Sequence, residues 1–552
     1  MIRADRWQPA GGVTLEPNAR AAALEMGRCL ALTAGPGAGK TELLAQRADF
    51  LLQTGGCRYP QRILAISFKV DAARNLKERV RQRCGPILAG RLDSYTFHGF
   101  AKRVIDRFRP VLTGVDALDP DYAVGSRRVQ NVQITFDDFM PLAAQILESS
   151  EVALSAVRQT YSHVFLDEFQ DCTGEQYELV RIAFLDSGIN VTAVGDTKQR
   201  IMGWAGALDG VFLTFATDFK ARALNLYQNF RSQPRLRRMQ NAMVKVMDPG
   251  AAVPDADLVG DSGTVGWLHS PDDATEASSL ADQIQGWMGA GVPASEIAVL
   301  VSKQLELYAA PLMTELAARG VPYRNEVALQ DLSAEPASRL IVDFLTVVVS
   351  DGAPDAFTRL MGLLMASGLD DDEAYEAYAG YQRFLDGVRE RVRKGVVAAS
   401  TPAGLRGLAG EMLGLFGRGR LTALSPDYEQ GKRLDEVTAE TLERLESLLE
   451  ATGDPGKALA LFSADTAVRV MTIHKSKGLE FDTVVLLGVE HETFWGEAVD
   501  ERAAFFVGIS RAKRRLVLTH ADFRARPTGW RKRWDDVRTP HAEFLGYATA
   551  AK

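Results

Sequence analysis

A glycine-rich turn between a strand-like run and a helix-like run constrains this chain more than any other stretch. The turn reads Ala34-Gly35-Pro36-Gly37-Ala38-Gly39-Lys40-Thr41. It follows the apolar residues 29–32 and precedes 42–47, and strand, loop and helix in that order predict a P-loop. Backbone N–H groups of the glycines then surround phosphate oxygens, Lys40 adds a mobile charge, and the Thr41 hydroxyl is a ligand for Mg²⁺. The alternative is a glycine-rich turn with a chance lysine, which would leave this order unexplained.

Length and composition predict a multidomain protein of a reducing compartment. At 552 residues the chain is too long for one core. Its net charge of −7 means that a nucleic-acid partner would have to meet local basic patches. The 4 cysteines form no CxxC pair, which argues against zinc or an iron–sulfur cluster. Residues 1–12 lack a signal-peptide core, and the apolar run 340–349 is too short to span a bilayer, so we expect a cytoplasmic protein without a membrane partner.

Strand and helix patterns alternate in two separate blocks of the chain. This alternation predicts an α/β fold with two parallel-sheet domains. Each block is interrupted by a mainly helical stretch, and a run rich in Asp, Gly, Ala and Pro at 249–263 marks a linker. The predicted boundaries are 1–101 with 161–248 for the first sheet domain, 102–160 for its insert, 249–350 with 456–552 for the second sheet domain, and 351–455 for its insert.

An acidic pair follows the strand-like run 163–166. Hydrolysis of a nucleoside triphosphate needs a second metal ligand and a base near the P-loop. Asp167 is predicted to hold Mg²⁺, and Glu168 to orient and deprotonate the attacking water. An acidic pair after a strand is more often a solvated strand end, but here the run continues as Phe169-Gln170-Asp171.

The run Asp167-Glu168-Phe169-Gln170-Asp171 resembles motif II of the superfamily 1A DNA helicases, the UvrD/Rep/PcrA group. The resemblance covers essentially the whole chain in the family's motif order. The turn at 34–41 is similar to motif I and 63–74 to motif Ia, and Thr96-Phe97-His98 is similar to motif Ib. The later motifs resemble III at 195–199 and 203–207, IV at 229–232, V at 472–481 and VI at 507–512.

This resemblance implies two RecA-like P-loop domains that bind ATP and Mg²⁺ in the cleft between them. It implies that Gln199 senses the γ-phosphate, and that Arg231 and Arg511 act as arginine fingers. Such a finger contributes about 10³–10⁵ in rate. It also implies that Phe230 stacks on the nucleotide base and that Glu480 reaches the ribose.

The resemblance further implies aromatic contacts to single-stranded DNA. Every base has a π-face, so stacking on an aromatic side chain does not depend on the base sequence. Such stacking contributes about 1–3 kcal/mol per base. The family places such contacts at Phe68, Trp204 and His474, with Phe97 and His98 nearby. Taken singly, each of these rings would more often belong to the core.

The sequence also departs from the family pattern. Ala19 stands where the family has a glutamine that reads adenine, so nucleotide selectivity stays open. Lys69-Val70-Asp71 replaces the usual Thr-Asn-Lys of motif Ia, and motif III carries Met202 and Ala205 in place of an aromatic residue and an arginine. Both inserts are shorter than in the family's replicative-repair members, which favours a reduced strand-separating apparatus.

Two function hypotheses follow. The first is an ATP-dependent 3′-to-5′ translocase or helicase on single-stranded or tailed duplex DNA. The second is a helicase-like sensing subunit of a nuclease or bacterial defence complex such as Gabija, with little unwinding of its own. An unrelated P-loop NTPase leaves Gln199, Arg231 and Arg511 unexplained. The sequence shows no nuclease cluster, and both DNA repair and antiviral defence stay open as pathways.

Overall fold

A computed structural model provides the structure of this chain. It describes all residues except 1, 69, 126, 202–206, 327–331, 334, 351, 365–370, 426–427, 429–431, 463–466, 528–529, 532 and 552.

The described residues form strands and helices in the following chain order. The strands are β1 Leu30–Ala34, β2 Arg62–Ser67, β3 Leu92–Thr96, β4 Leu118–Val124, β5 Asn131–Ile134, β6 Tyr161–Leu166, β7 Asn190–Gly195, β8 Arg222–Leu226, β9 Thr264–Asp272, β10 Ile297–Val301, β11 Tyr323–Asn325, β12 Val468–Thr472, β13 Phe481–Leu487 and β14 Ala512–Phe523. The helices are α1 Pro17–Leu24, α2 Lys40–Thr54, α3 Val70–Ala89, α4 Phe97–Phe108, α5 Phe139–Ser149, α6 Glu151–Thr160, α7 Gly174–Phe184, α8 Val211–Asp218, α9 Pro234–Met247, α10 Asp273–Gly289, α11 Leu305–Tyr308, α12 Ala310–Ala318, α13 Pro336–Val349, α14 Pro354–Leu364, α15 Asp371–Arg393, α16 Pro402–Phe416, α17 Arg418–Ala423, α18 Arg433–Thr452, α19 Pro455–Phe462, α20 Ala498–Ile509 and α21 Ala542–Tyr547.

The first sheet is a 6-stranded parallel sheet in the order β3-β2-β6-β7-β1-β8. Its central strands are almost entirely buried, because helices cover both faces of a parallel sheet. In the register, Thr33 lies beside Gly195 and Leu166 beside Ala193. The carboxyl ends of β1, β6 and β7 therefore meet at one edge, where the P-loop and the acidic pair begin.

The second sheet repeats this architecture. It is also 6-stranded and parallel, in the order β11-β12-β10-β13-β14-β9. All residues of β10 are buried, as expected for a strand in the middle of a covered sheet. The predicted α/β class with two parallel sheets is confirmed.

The first insert shares a core with the first sheet. Helices α5 and α6 pack with α4 and α7, and a small two-stranded sheet of β4 and β5 lies beside them. The sequence pattern predicts this stretch as mainly helical, and the short strands are an addition to that prediction.

Two helices lie with a different core from the one that the predicted boundaries assign. The buried residues of α13, such as Leu340 and Phe344, pack with the helices of the second insert, whose core extends to Phe462. The buried residues of α9 pack with the second sheet. The chain therefore crosses between the sheet domains near Asn229–Ser232 rather than at 248, because apolar spacing identifies a buried face but not its partner.

Among the described residues, no helix combines the length and the apolar character that a membrane span requires.

Candidate functional site

The P-loop connects β1 to α2 as its sequence predicts. Gly37 and Gly39 have φ angles of 72° and 76°, a left-handed conformation that glycine adopts without strain. The carbonyl of Gly37 accepts a hydrogen bond from the Phe230 N–H at 2.9 Å. A Cβ on Gly37 would lie 2.7 Å from the Cβ of Arg231, so this position needs glycine for space as well as for conformation. The loop is thereby held against the segment that enters the second domain.

A cavity of about 310 Å³ opens over the P-loop. Its lining comes from both sheet domains and includes most of the residues that the sequence predicts for the nucleotide site: Gly37, Ala38, Gly39, Lys40, Thr41, Asp167, Glu168, Gln199, Phe230, Arg231, Glu480 and Arg511. Ala34, Gly35 and Pro36 precede this lining at the end of β1. The structure thus brings together groups that are up to about 470 residues apart in the chain.

The acidic pair lies at the floor of the cavity. Asp167 is buried at the end of β6, and Glu168 takes a left-handed φ of 51°. Burial and the neighbouring Glu168 charge raise the pKa of Asp167. Burial acts in the same direction on Glu168, but Lys40 and Lys477 outweigh it and lower the pKa of that carboxyl. The Lys40 ammonium is 3.8 Å from Glu168 Oε1. The two lysines thus favour the charged form of Glu168, the form in which a carboxyl accepts a proton.

The donor atoms near the P-loop suit magnesium. The Thr41 hydroxyl and the Asp167 carboxylate both line the cavity, and Mg²⁺ prefers hard oxygen ligands completed by water and substrate phosphates. A divalent cation would also offset the mutual repulsion of Asp167 and Glu168.

Arg511 reaches the first domain across the cleft. Its guanidinium donates from Nη2 to Gln199 Oε1 at 2.6 Å and from Nε to the Val507 carbonyl at 2.9 Å. Burial and the nearby Arg231 lower the pKa of Arg511 to about 9. Lys40 of the first domain and Arg231 and Arg511 therefore bring cationic groups together at the cavity, where they could meet the charge of a polyphosphate.

Arg231 and Glu480 form an ion pair at the rim of the cavity. Arg231 donates from Nε to Glu480 Oε2 at 2.7 Å and from Nη1 to the Ser510 carbonyl at 3.1 Å. Burial tends to raise the pKa of Glu480, but Arg231 outweighs it and lowers that pKa. Phe230, with 59% of its surface exposed, lines the same cavity. The roles of Glu480 at a ribose and of Phe230 at a base stay predictions.

A second contact across the cleft, between Lys477 and the first domain, is not among the sequence predictions. Lys477 Nζ forms a buried ion pair with Asp171 Oδ2 and donates to the Gln199 carbonyl at 2.7 Å. Both residues lie in stretches that the resemblance identifies, motifs V and II. In the sequence, Asp171 and Lys477 are notable only because they lie close to Glu168 and Glu480, respectively. No local pattern indicates that two residues so far apart in the chain form an ion pair.

Ala19 has no amide side chain that could read adenine, unlike the glutamine that the family has at this position. Ala19 is buried, and Asn18 donates instead to the Asn225 carbonyl at 2.7 Å. The Glu16 carboxylate accepts the N–H groups of Tyr227 and Gln228. This segment therefore anchors the stretch that leads to Phe230.

The predicted DNA contacts have different environments. Phe97 has 4% of its surface exposed and packs in the first core, which is at odds with a DNA contact by its ring. Its spacing with Phe100, Ala101 and Val104 places it on the buried face of α4. His98 is half-buried and makes edge contacts with Phe136 and Phe139.

The other three rings also differ from one another. Phe68 is half-buried and lines the nucleotide cavity, so its ring lies next to the nucleotide site. His474 is half-buried directly after β12. Trp204 lies outside the described residues, as do Lys69, Met202 and Ala205.

Two parallel sheets with one P-loop cavity between them define a two-domain P-loop NTPase. Residues 15–124 and 122–220 match the family model of the UvrD/REP helicase N-terminal domain, and residues 419–522 match that of the UvrD-like helicase C-terminal domain. The chain therefore belongs to the UvrD-like helicases, and it is an ATP-hydrolysing enzyme.

Individual relatives agree with this family. DNA helicase II of Escherichia coli strain K12 is 23% identical over 612 aligned residues, which cover 90% of this chain and 82% of the relative. The ATP-dependent DNA helicase PcrA of Bacillus subtilis strain 168 is 24% identical, with 90% and 81% covered. The PcrA of Leuconostoc citreum is 23% identical, with 89% and 80% covered. The similarity extends through both sheet domains.

Proposed function

We propose that this chain couples ATP hydrolysis to 3′-to-5′ movement along single-stranded DNA. One observation carries the proposal: the loop 473–480 contains both a proposed DNA contact and residues that line the nucleotide cavity. His474 lies at its start, beside the end of β12, whereas Lys477 and Glu480 line the nucleotide cavity. A shift of this loop as the cleft opens or closes therefore moves the proposed DNA contact. The relatives named above are DNA helicases, and the superfamily 1A resemblance implies the polarity.

The proposed hydrolysis uses groups from both domains. Lys40, Arg231 and Arg511 neutralise the charge that develops on the γ-phosphoryl group. Glu168 accepts the proton of the attacking water, and Gln199 orients that water. Thr41 and Asp167 would hold Mg²⁺, which would supply further neutralisation of the phosphate charge.

Among the five aromatic residues predicted to bind DNA, we retain the three described ones that are only partly buried as the proposed contacts, namely His474, His98 and Phe68. Stacking on such rings does not depend on base identity, which suits a protein that moves along a strand. Trp204 stays a prediction from the resemblance. The substrate is single-stranded DNA or a duplex with a single-stranded tail.

Displacement of streptavidin from biotinylated oligonucleotides tests the polarity. With ATP, the protein is expected to clear streptavidin from a 5′ end faster than from a 3′ end. The Glu168→Gln variant is the matched control, because it keeps the shape of the side chain and removes the base. Displacement from the 3′ end alone, or equal displacement by the Glu168→Gln variant, would contradict the proposal.

Unwinding and partnership are separate from translocation. A 3′-tailed duplex that stays annealed with ATP, while single strands still stimulate hydrolysis, would identify a translocase. Co-purification with a nuclease subunit, together with little unwinding by the protein alone, would favour the sensing subunit instead. The 4 free cysteines suit the reducing, cytoplasmic compartment in which we place the protein.

A further inference from the structure

Gln170 contacts the proposed base with one end of its side chain. Its Nε2 donates to Glu168 Oε2 at 2.7 Å, and 1% of the residue surface is exposed. A buried amide is costly to leave unsatisfied, so this hydrogen bond restricts the orientation of the carboxylate. The Lys40 ammonium lies 3.8 Å from the other carboxylate oxygen of Glu168, so the hydrogen bond from Gln170 is the shorter of these two contacts.

The other end of Gln170 contacts the segment that carries Gln199. Gln170 Oε1 accepts the Asp196 N–H at 2.9 Å. The Asp196 carboxylate is fully buried and accepts from Gln199 Nε2 at 2.9 Å. Gln199 Oε1 in turn accepts from Arg511 at 2.6 Å. A continuous series of hydrogen bonds therefore runs from Glu168 to Arg511 and crosses the boundary between the two sheet domains.

Gly195 leaves the space that this arrangement needs. A Cβ at Gly195 would overlap Gln170 Oε1 and come within 3.0 Å of Phe212 Cζ. The φ angle of Gly195 is not in the left-handed region, so glycine is required here for space and not for conformation. A side chain at this position would displace the Gln170 amide.

We propose that Gln170 is a positioning residue for hydrolysis, which aligns the Glu168 carboxylate when Arg511 engages Gln199. A carboxamide is planar, so its donor and acceptor move as one body. When closure of the second domain fixes Gln199 and Asp196, the acceptor end of Gln170 is fixed, and its donor then sets the direction of Glu168. The proposal rests on the proposed role of Glu168 as the base. Gln170 acts through Glu168 and does not itself touch the phosphates.

The first test is the Gln170→Met variant, which keeps the length of the side chain and removes both hydrogen bonds. We expect kcat for ATP to fall by about 10²-fold, the scale of a misplaced catalytic group, with KM for ATP and nucleotide affinity unchanged. The matched control is Gln176→Met, a buried glutamine that caps α7 away from the cavity, and its kcat should equal that of the wild type. A Gln170→Met protein with wild-type kcat, or with a loss confined to KM, would overturn the proposal.

The second test is a double-mutant cycle with Gln199→Ala. Because the residues act as one series, the Gln170→Met and Gln199→Ala double variant should have about the kcat of Gln199→Ala alone. Additive losses would overturn the coupling. Should Gln170→Met fail to fold, Gly195→Ala displaces the same amide, and the same loss of kcat is expected.

These outcomes are distinguishable from failure of the proposed function. A Glu168→Gln protein that still turns over ATP would refute Glu168 as the base, whatever the Gln170 variants do. A wild-type protein that needs Glu168 but not Gln170 would refute the positioning role alone.

Discussion

Removing the Lys477 ammonium should open the cleft without unfolding either domain. The ion pair of Lys477 with Asp171 has side chains only 5% and 0% exposed, and its partners belong to different sheet domains. Loss of one partner of a buried pair costs about 3–5 kcal/mol, because the other charge stays buried. Each 1.4 kcal/mol is about tenfold in an equilibrium constant, so Lys477→Met should reduce the equilibrium constant for closure by about 10²–10⁴-fold.

Fluorescence energy transfer between dyes on the two sheet domains measures this closure. With a non-hydrolysable ATP analogue, the wild type should reach a high-transfer state, and Lys477→Met should need far more analogue to do so. The exposed Lys457 in the second insert provides the control, and Lys457→Met should behave as the wild type does. Equal closure of Lys477→Met and wild type, at equal analogue concentration, would show that the ion pair of Lys477 with Asp171 does not hold the cleft closed.

Three further predictions concern single positions. Gly37→Ala places a Cβ at a φ of 72° and should weaken nucleotide binding by about 1–2 kcal/mol in a fluorescent-nucleotide titration. The control Gly286→Ala in α10, away from the cavity, meets no atom within 4 Å and should bind as the wild type does, and equal affinities of the two variants would contradict this. His474→Ala should keep basal hydrolysis and lose DNA stimulation, so undiminished stimulation would remove His474 from the strand path. Burial lowers the pKa of His541 to about 4, below the ordinary value of about 6.5, so the stability that it contributes is full above pH ~6.5 and is lost as pH falls towards 4. The melting temperature of wild type should therefore drop more between pH 7.5 and 5 than that of His541→Gln, and parallel drops would refute it.

The positions of the P-loop and of the acidic pair could be predicted because each lies within a few residues of a strand end. The P-loop and the acidic pair are local patterns, and the parallel sheet brings their strand ends to one edge. Arg231 and Arg511 were predicted through the resemblance, and the structure places both at the cavity. Nothing local indicates the pairing of Lys477 with Asp171, because it exists only once the two domains have docked.

The errors have a shared physical origin. The ring of Phe97 was predicted at the DNA surface, although its helical spacing with other apolar residues already indicated a buried face. Helices α9 and α13 were assigned to the wrong neighbours, since an amphipathic pattern shows that a face is buried but not against which core. Which core each of these apolar faces packs against is therefore determined by long-range packing, which local sequence patterns do not show.

Joint action of the two domains is measured by the rate of ATP turnover of Arg511→Ala in the presence of single-stranded DNA. Arg511 comes from the second domain and lies in the same cavity as Lys40 of the first. We predict a loss of about 10³-fold or more in kcat with nucleotide binding retained, since Arg511 would supply the transition-state cation from the second domain. Turnover within a few-fold of the wild type would contradict this prediction, because one domain would then suffice for hydrolysis.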